Sequence, residues 1–153
     1  MSAGGRGTWR GEPLERAVRR VLEEHFGEDF AAVRCHRGAF ARLLCRLLGA
    51  GAVTLGRRLF FSPPGWDRYR EGGTAGVALA AHEAVHVLQY RRDGFLRMLT
   101  RYLRDYLRGR RAGLTHHQAY RAVPYEREAF AVEARVRELA RERAAEAAVD
   151  SPP

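Results

Sequence analysis

"ALAAHEAVHVLQYRRDG", residues 78–94, decides how this chain is read. From Val77 to Leu88 every residue is Ala, Val or Leu except His82, Glu83 and His86. A segment apolar on all sides is a buried helix, closed here by Asp93 and Gly94. Residues four apart on a helix are rotated by about 40° and rise by about 6 Å, so His82 and His86 reach one metal ion. Glu83, one position on, falls beside the ion and within reach of a coordinated water whose pKa zinc lowers toward ~7. The pattern arises by accident in about one chain in 200 of this length. Three unpartnered polar groups in an apolar helix would cost several kcal/mol, which metal and hydrogen-bond partners remove. The competing reading is two hydrogen-bonded core histidines.

A catalytic zinc takes a third protein ligand and keeps one position open. "VLQYRRDG" follows His86, so no third histidine lies further along the same helix. The downstream candidates are Glu126 first, Glu128 second and the pair His116 and His117 third. Glu126 opens a new helix after Pro124, and Ala129 beside it permits close approach to the histidine helix. Glu133, seven residues on and on the same face, is placed to hydrogen-bond a ligand histidine. Against this stands a solvated first turn in which acids merely suit the helix dipole. His116, His117, Tyr120 and Tyr125 are open alternatives for the donor to a developing oxyanion.

Working outward, residues 1–12 are Gly-rich and read as a loose tail, and 148–153 as a second one, around one domain at 13–147. "PLERAVRRVLEEHF" reads as a helix opened by Pro13 and stopped by Gly27. "AAVRCH" (31–36) reads as a strand and "GAFARLLCRLLGA" as a second helix. "AVTLG" and "RRLFFSP" form a hairpin turning at Gly56, with "RRLFFSP" as an edge strand open to an extended substrate. "GWDRYREGGT" reads as a loop leading to Thr74 as N-cap of the histidine helix. "FLRMLTRYLRDYLRGRR" carries Phe95, Met98, Leu99, Tyr102, Leu103, Tyr106 and Leu107 on one stripe, a face expected to pack on the core, with partner docking through 95–107 as the alternative. The last helix starts at Pro124, and its final turns become polar all round.

The 153 residues are enough to bury a core without disulfides, and 46% hydrophobic with 29% charged residues is ordinary globular usage. The net charge is +9, but all 27 basic residues are Arg and they are scattered among acids, so nucleic-acid binding is disfavoured. Cys35 and Cys45 form no C-x-x-C pair. Cys35 reads as a small buried residue, with thiolate latency of a zinc site as the lesser alternative. "MSAGGRGTWRGEP" lacks an apolar signal region and no run is long enough to span a membrane. The expected location is the cytoplasm, or the outside by a specialised export machine.

"FGEDFAAVRCH", "LGAGAVTLGRRLFFSPPGW" and "GVALAAHEAVHVLQY" together resemble the metallopeptidase domain of the extracellular contractile injection system (eCIS) core family. Its marks are a strand ending V-R-x-H, an A-x-T-x-G hairpin and a helix H-E-L-x-H-V-x-Q, and the likeness covers about residues 22–92. "AYRAVPYEREAF" is similar to the E-x-x-A helix that supplies the third ligand in gluzincin metallopeptidases. The chain departs from the family in Ala84, Val85 and Tyr90, none of which is a ligand or base. The resemblance implies a mostly helical α+β zincin-like domain with a small β-sheet and a central zinc-binding helix. In it His82, His86 and Glu126 would hold Zn2+, and Glu83 would be the general base for hydrolysis of a peptide or protein substrate. His36 falls on the family's V-R-x-H histidine and is expected to make a strand-end hydrogen bond. The runner-up is a non-catalytic zinc-binding accessory or cargo protein of a bacterial injection or toxin system.

Overall fold

The computed structural model describes residues 11–149. Their order is β1 (Glu12–Pro13), α1 (Arg16–Phe26), β2 (Arg34–His36), α2 (Ala39–Leu48), β3 (Ala52–Leu55), β4 (Arg58–Phe61), α3 (Pro63–Glu71), α4 (Gly73–Asp93), α5 (Phe95–Arg111), α6 (His116–Ala122) and α7 (Pro124–Val149). The architecture is α+β, mostly helical with one four-stranded sheet of order β1-β2-β4-β3. Most residues of the two expected tails lie outside the described residues. Glu12, however, pairs with Cys35, and α7 continues through 148 and 149.

Pro13 does not open the first helix. It pairs with Arg34 in β1, and the Glu15 amide donates to the Tyr69 hydroxyl at 2.8 Å, holding the chain extended until α1 starts at Arg16. Val18 and Leu22 then bury one face, and Gly27 ends the helix at φ 67°. β3 and β4 form the expected hairpin, with Gly56 at φ 63° in its turn. "RRLFFSP" is not at the edge: β4 pairs with β3 on one side and, in parallel, with β2 on the other. The strands with an open side are β1 and β3.

The expected loop at 65–74 is a helix instead. Ser62 accepts from the Gly65 amide at 3.1 Å, Pro63 and Pro64 occupy the first turn, and the aromatic rings of Trp66 and Tyr69 pack on Phe61. The N-cap of α4 is Gly72, not Thr74, because α4 already begins at Gly73. A Cβ at Gly76 would lie 2.6 Å from the Arg68 carbonyl, so α3 and α4 touch backbone to backbone.

α4 is buried along most of its length. Ala78, Ala80, Ala81 and Ala84 are nearly inaccessible, and these small side chains let the sheet approach one flank and α7 the other. Cys35 and Cys45 are buried, and burial pushes their thiols up to about 12 and about 11. Met98 of α5 packs with Val123 and Tyr125 in a second small cluster that Tyr102 and Tyr106 join. The stripe on α5 is therefore only half covered, since Phe95, Leu99, Leu103 and Leu107 remain exposed. No helix among the described residues is long and apolar enough to cross a membrane.

Gly65 has the tightest backbone approach: a Cβ there would sit 1.9 Å from the Gly51 carbonyl oxygen. Gly65→Ala is expected to cost about 1–3 kcal/mol and lower the thermal midpoint by several degrees, read by circular dichroism. An unchanged midpoint would show that the α3–hairpin contact relaxes freely.

Candidate metal centre

His82, Glu83, His86 and Gln89 stand on two successive turns of α4, and Glu126 and Glu133 two turns apart on α7. Ala129, fully buried between the two glutamates, is small enough for α7 to lie against the histidines. Both imidazoles are fixed from behind. His82 Nδ1 donates to Glu133 Oε2 at 3.1 Å, and His86 Nδ1 donates to Gln89 Oε1 at 2.8 Å. With Nδ1 so engaged, each ring turns Nε2 toward Glu126, at 3.2 Å from Oε2 for His82 and 3.4 Å from Oε1 for His86. Orientation of metal-binding histidines by a hydrogen bond at the other nitrogen is the usual arrangement.

His82, His86 and Glu126 form a buried group that could hold a metal ion, with ligand atoms all within 4.8 Å of one another. The two Nε2–carboxylate separations match the ~3.3 Å between ligands of a tetrahedral ion bound at ~2.0–2.1 Å. Electrostatics point the same way. Burial opposes charge on either imidazole, yet the surrounding carboxylates together outweigh it and raise both: Glu126 foremost, with Glu83 at both and Glu133 at His82. Burial likewise opposes charge on Glu126, but the two imidazoles hold its carboxyl well below the usual carboxylate range. A site that draws protons onto its imidazoles draws a divalent cation for the same reason.

Glu83 is buried beside this group, and the Thr54 hydroxyl on β3 donates to its Oε2 at 2.7 Å. Glu128 does not join the histidines: it accepts from Gln89 Nε2 at 2.8 Å and pairs with Arg92 at 3.2 Å. His116 lies between the Tyr106 hydroxyl and the Leu48 carbonyl, while Tyr125 donates to Asp93. His117 lines a surface cavity with Arg121 and Arg127. Of the four oxyanion candidates, Tyr120 alone is drawn to Glu126; burial, then the carboxylate, raises its phenol and keeps it protonated.

The sequence reading passed over Thr54, Gln89 and Tyr102. Tyr102 donates to Glu126 Oε1 at 2.8 Å from α5. Gln89 is marked in the sequence by its helical spacing, three residues after His86, and Thr54 by being polar within a short apolar strand. Nothing local marks Tyr102. His36 lacks the expected hydrogen bond: its ring stacks on Phe60, and its Nε2 is buried with no partner among the described residues, because Gly11 closes over it.

The family model of the eCIS core domain matches residues 13–94, which run from Pro13 of β1 through α4 and therefore hold Thr54, His82, Glu83 and His86. The chain belongs to the eCIS core family. Membership ties this eCIS core protein to injection systems and to protein partners within a complex. No curated protein and no solved structure matched the chain with significance. Glu126, Glu133, Tyr102 and Tyr120 lie beyond the matched segment.

Protein purified without chelator should carry about one zinc per chain by plasma mass spectrometry, and His86→Ala and Glu126→Ala should each lose it. Zinc at ~1,000 times its dissociation constant should stabilise the wild type by about 4 kcal/mol and leave both variants unmoved. Equal stabilisation of the variants would place the ion elsewhere.

Proposed function

We propose that this eCIS core protein is a zinc-dependent peptidase. The observation that carries the reading is the buried His82–His86–Glu126 group with a second, separately tethered carboxylate, Glu83, on the same helix. Bound there, zinc would supply a Lewis acid for a peptide carbonyl and acidify water near neutral pH. The chain's own residues supply the rest. Glu83 takes the proton from the attacking water and passes it to the leaving nitrogen. Thr54 orients that carboxylate, so its atom positions do not depend on a mobile side chain. Tyr120, protonated and next to Glu126, donates to the carbonyl oxygen as negative charge develops there. Glu133 and Gln89 hold the imidazoles in one tautomer and one orientation.

The open side of β3, the strand that carries Thr54, is the edge on which an extended peptide would lie. α5 and α6 cover the group at present, with Tyr102 against Glu126 and with His116 bridging Tyr106 to Leu48. Entry of a peptide thus calls for movement of α5 away from Glu126 and of α6 away from Leu48.

A non-catalytic zinc-binding role in an injection-system assembly is the second reading, favoured by the deep burial of His82, Glu83, His86 and Glu126. The two are separated by Glu83→Gln tested on a library of unstructured peptides, with products read by mass spectrometry. The proposed outcome is full zinc content with cleavage reduced by at least about 10²-fold. Cleavage at the wild-type rate would remove Glu83 from the mechanism, and no cleavage by zinc-loaded wild type would favour the second reading. Thr54→Val should keep zinc and lower kcat more than it changes KM, since it frees the base without touching substrate.

A further inference from the structure

The largest feature left unused by the site is an apolar surface divided between two helices. Every large hydrophobic side chain that is strongly exposed among the described residues lies on α2 or α5. α2 presents Phe40, Leu43 and Leu47, the last 69% exposed, and α5 presents Leu96, Leu99 and Leu103, with Leu96 at 75%. These positions recur at three- and four-residue spacing, so each set is one continuous ridge. Soluble proteins seldom leave this much contiguous apolar surface uncovered unless it meets a partner.

The ridges belong to one surface. Phe40 of α2 and Phe95 of α5 line the same cavity of about 500 Å³, together with His36, Leu55 and Phe60. At the far end of α2 the Leu48 carbonyl accepts from His116, whose other nitrogen meets Tyr106 of α5. The two ridges thus meet at a recess where both helices begin and are linked through His116 where α2 ends, and together they outline a trough. Its rim is positive: Arg42 and Arg46 follow the α2 ridge, Arg57 and Arg58 line the cavity, and Arg97 follows the α5 ridge. None of these five makes an ion pair among the described residues, so no acid of the described chain neutralises the rim.

We propose that the α2–α5 trough docks an amphipathic helix of a partner protein whose apolar stripe is bordered by Asp and Glu. The trough's length supports a helix, since α2 and α5, of 10 and 17 residues, span about 15 and 25 Å. A second copy of this chain is a poor occupant: a two-fold contact would set one arginine rim against its own image. A bilayer surface would cover the two ridges but leave the recess between Phe40 and Phe95 unfilled. A helix places a side chain there. The chain's own segment 1–10 carries Arg6 and Arg10 and no acid, so it does not match the rim.

The probe is a fluorescein-labelled helical peptide of about 18 residues, leucines on one face and glutamates at its borders, titrated with full-length protein by anisotropy. The same peptide with lysines in place of glutamates is the control. The acidic peptide is expected to bind saturably and to weaken between ~50 and ~300 mM salt. Leu47→Asp, Leu103→Asp and Arg46→Glu should each weaken it about tenfold or more. Arg20→Glu on α1, distant from the trough, should leave affinity unchanged, and all four variants should keep the wild-type thermal midpoint. The proposal is overturned if the acidic peptide fails to bind, if the lysine peptide binds equally well, or if Arg20→Glu weakens binding as much as Arg46→Glu. It is also overturned if phosphatidylglycerol vesicles bind where the peptide does not. Sedimentation showing a dimer that Leu47→Asp dissolves would assign the trough to a second copy.

Discussion

A carboxylate buried between two imidazoles sets the terms for the rest of this molecule. Glu126 is 3% exposed, and an unpaired charge at such depth would cost several kcal/mol. The imidazoles of His82 and His86 and the Tyr102 hydroxyl are what keep it there. This fixes the register of α7 on α4, because sliding by one turn would part Glu126 from His86 and Glu133 from His82 together. The alanines of α4 and Ala129 of α7 follow from the same demand, since larger side chains would hold the helices too far apart for contacts near 3 Å. Removing one partner of such a group leaves the others unpaired, a loss of about 3–5 kcal/mol, so polar site and helix packing are one structure.

Much of this could be read along the chain, for identifiable reasons. The histidine helix was legible because an all-apolar run admits few other conformations, and Glu83 and the histidines stand out in it. Glu126 and Glu133 were legible as a pair because seven residues return to the same helix face. Places where a local rule competed with a distant contact were less so. Pro13 favours a helix start, but pairing with β2 and the bond from Glu15 to Tyr69 hold it extended. "GWDRYREGGT" looks like a polar loop until Ser62 and two prolines are recognised as a helix start and Trp66 and Tyr69 as its buried face.

Contacts made across the fold carried no local signal. Tyr102 belongs to a periodic stripe that any amphipathic helix would show, and only the packing of α5 on α7 sets it against Glu126. The same stripe illustrates a second limit. Periodicity identified α5 as a helix and its apolar side as one face. It could not tell which part of that face the chain covers, and the structure divides it between Met98 and Tyr102 inside and Leu99 and Leu103 outside. A hairpin considered alone has two open sides, so its sequence does not show that β4 is an inner strand. β2 arrives from before the hairpin in sequence and closes one of them.

The division between matched and unmatched sequence has a physical counterpart. The eCIS core segment, 13–94, contains the sheet except Glu12, both histidines, Glu83 and Thr54, but neither Glu126 nor Glu133, the acids bonded to the imidazoles. Within that segment α4 would present its histidines and alanines to water along the flank that α7 covers. The helices after residue 94 close that flank, complete the polar group through Glu126 and Glu133, and lay Tyr102 and Tyr120 over it. In this chain the matched segment thus carries one half of the polar group, and the other half comes from the helix that packs on α4. In this chain the same later helices also bring Phe95 to the mouth of the α2–α5 trough. α5 therefore holds Glu126 on its inner side and an uncovered apolar ridge on its outer side. Inner and outer faces are thus parts of one helix, and a displacement of the ridge would displace Tyr102 against Glu126.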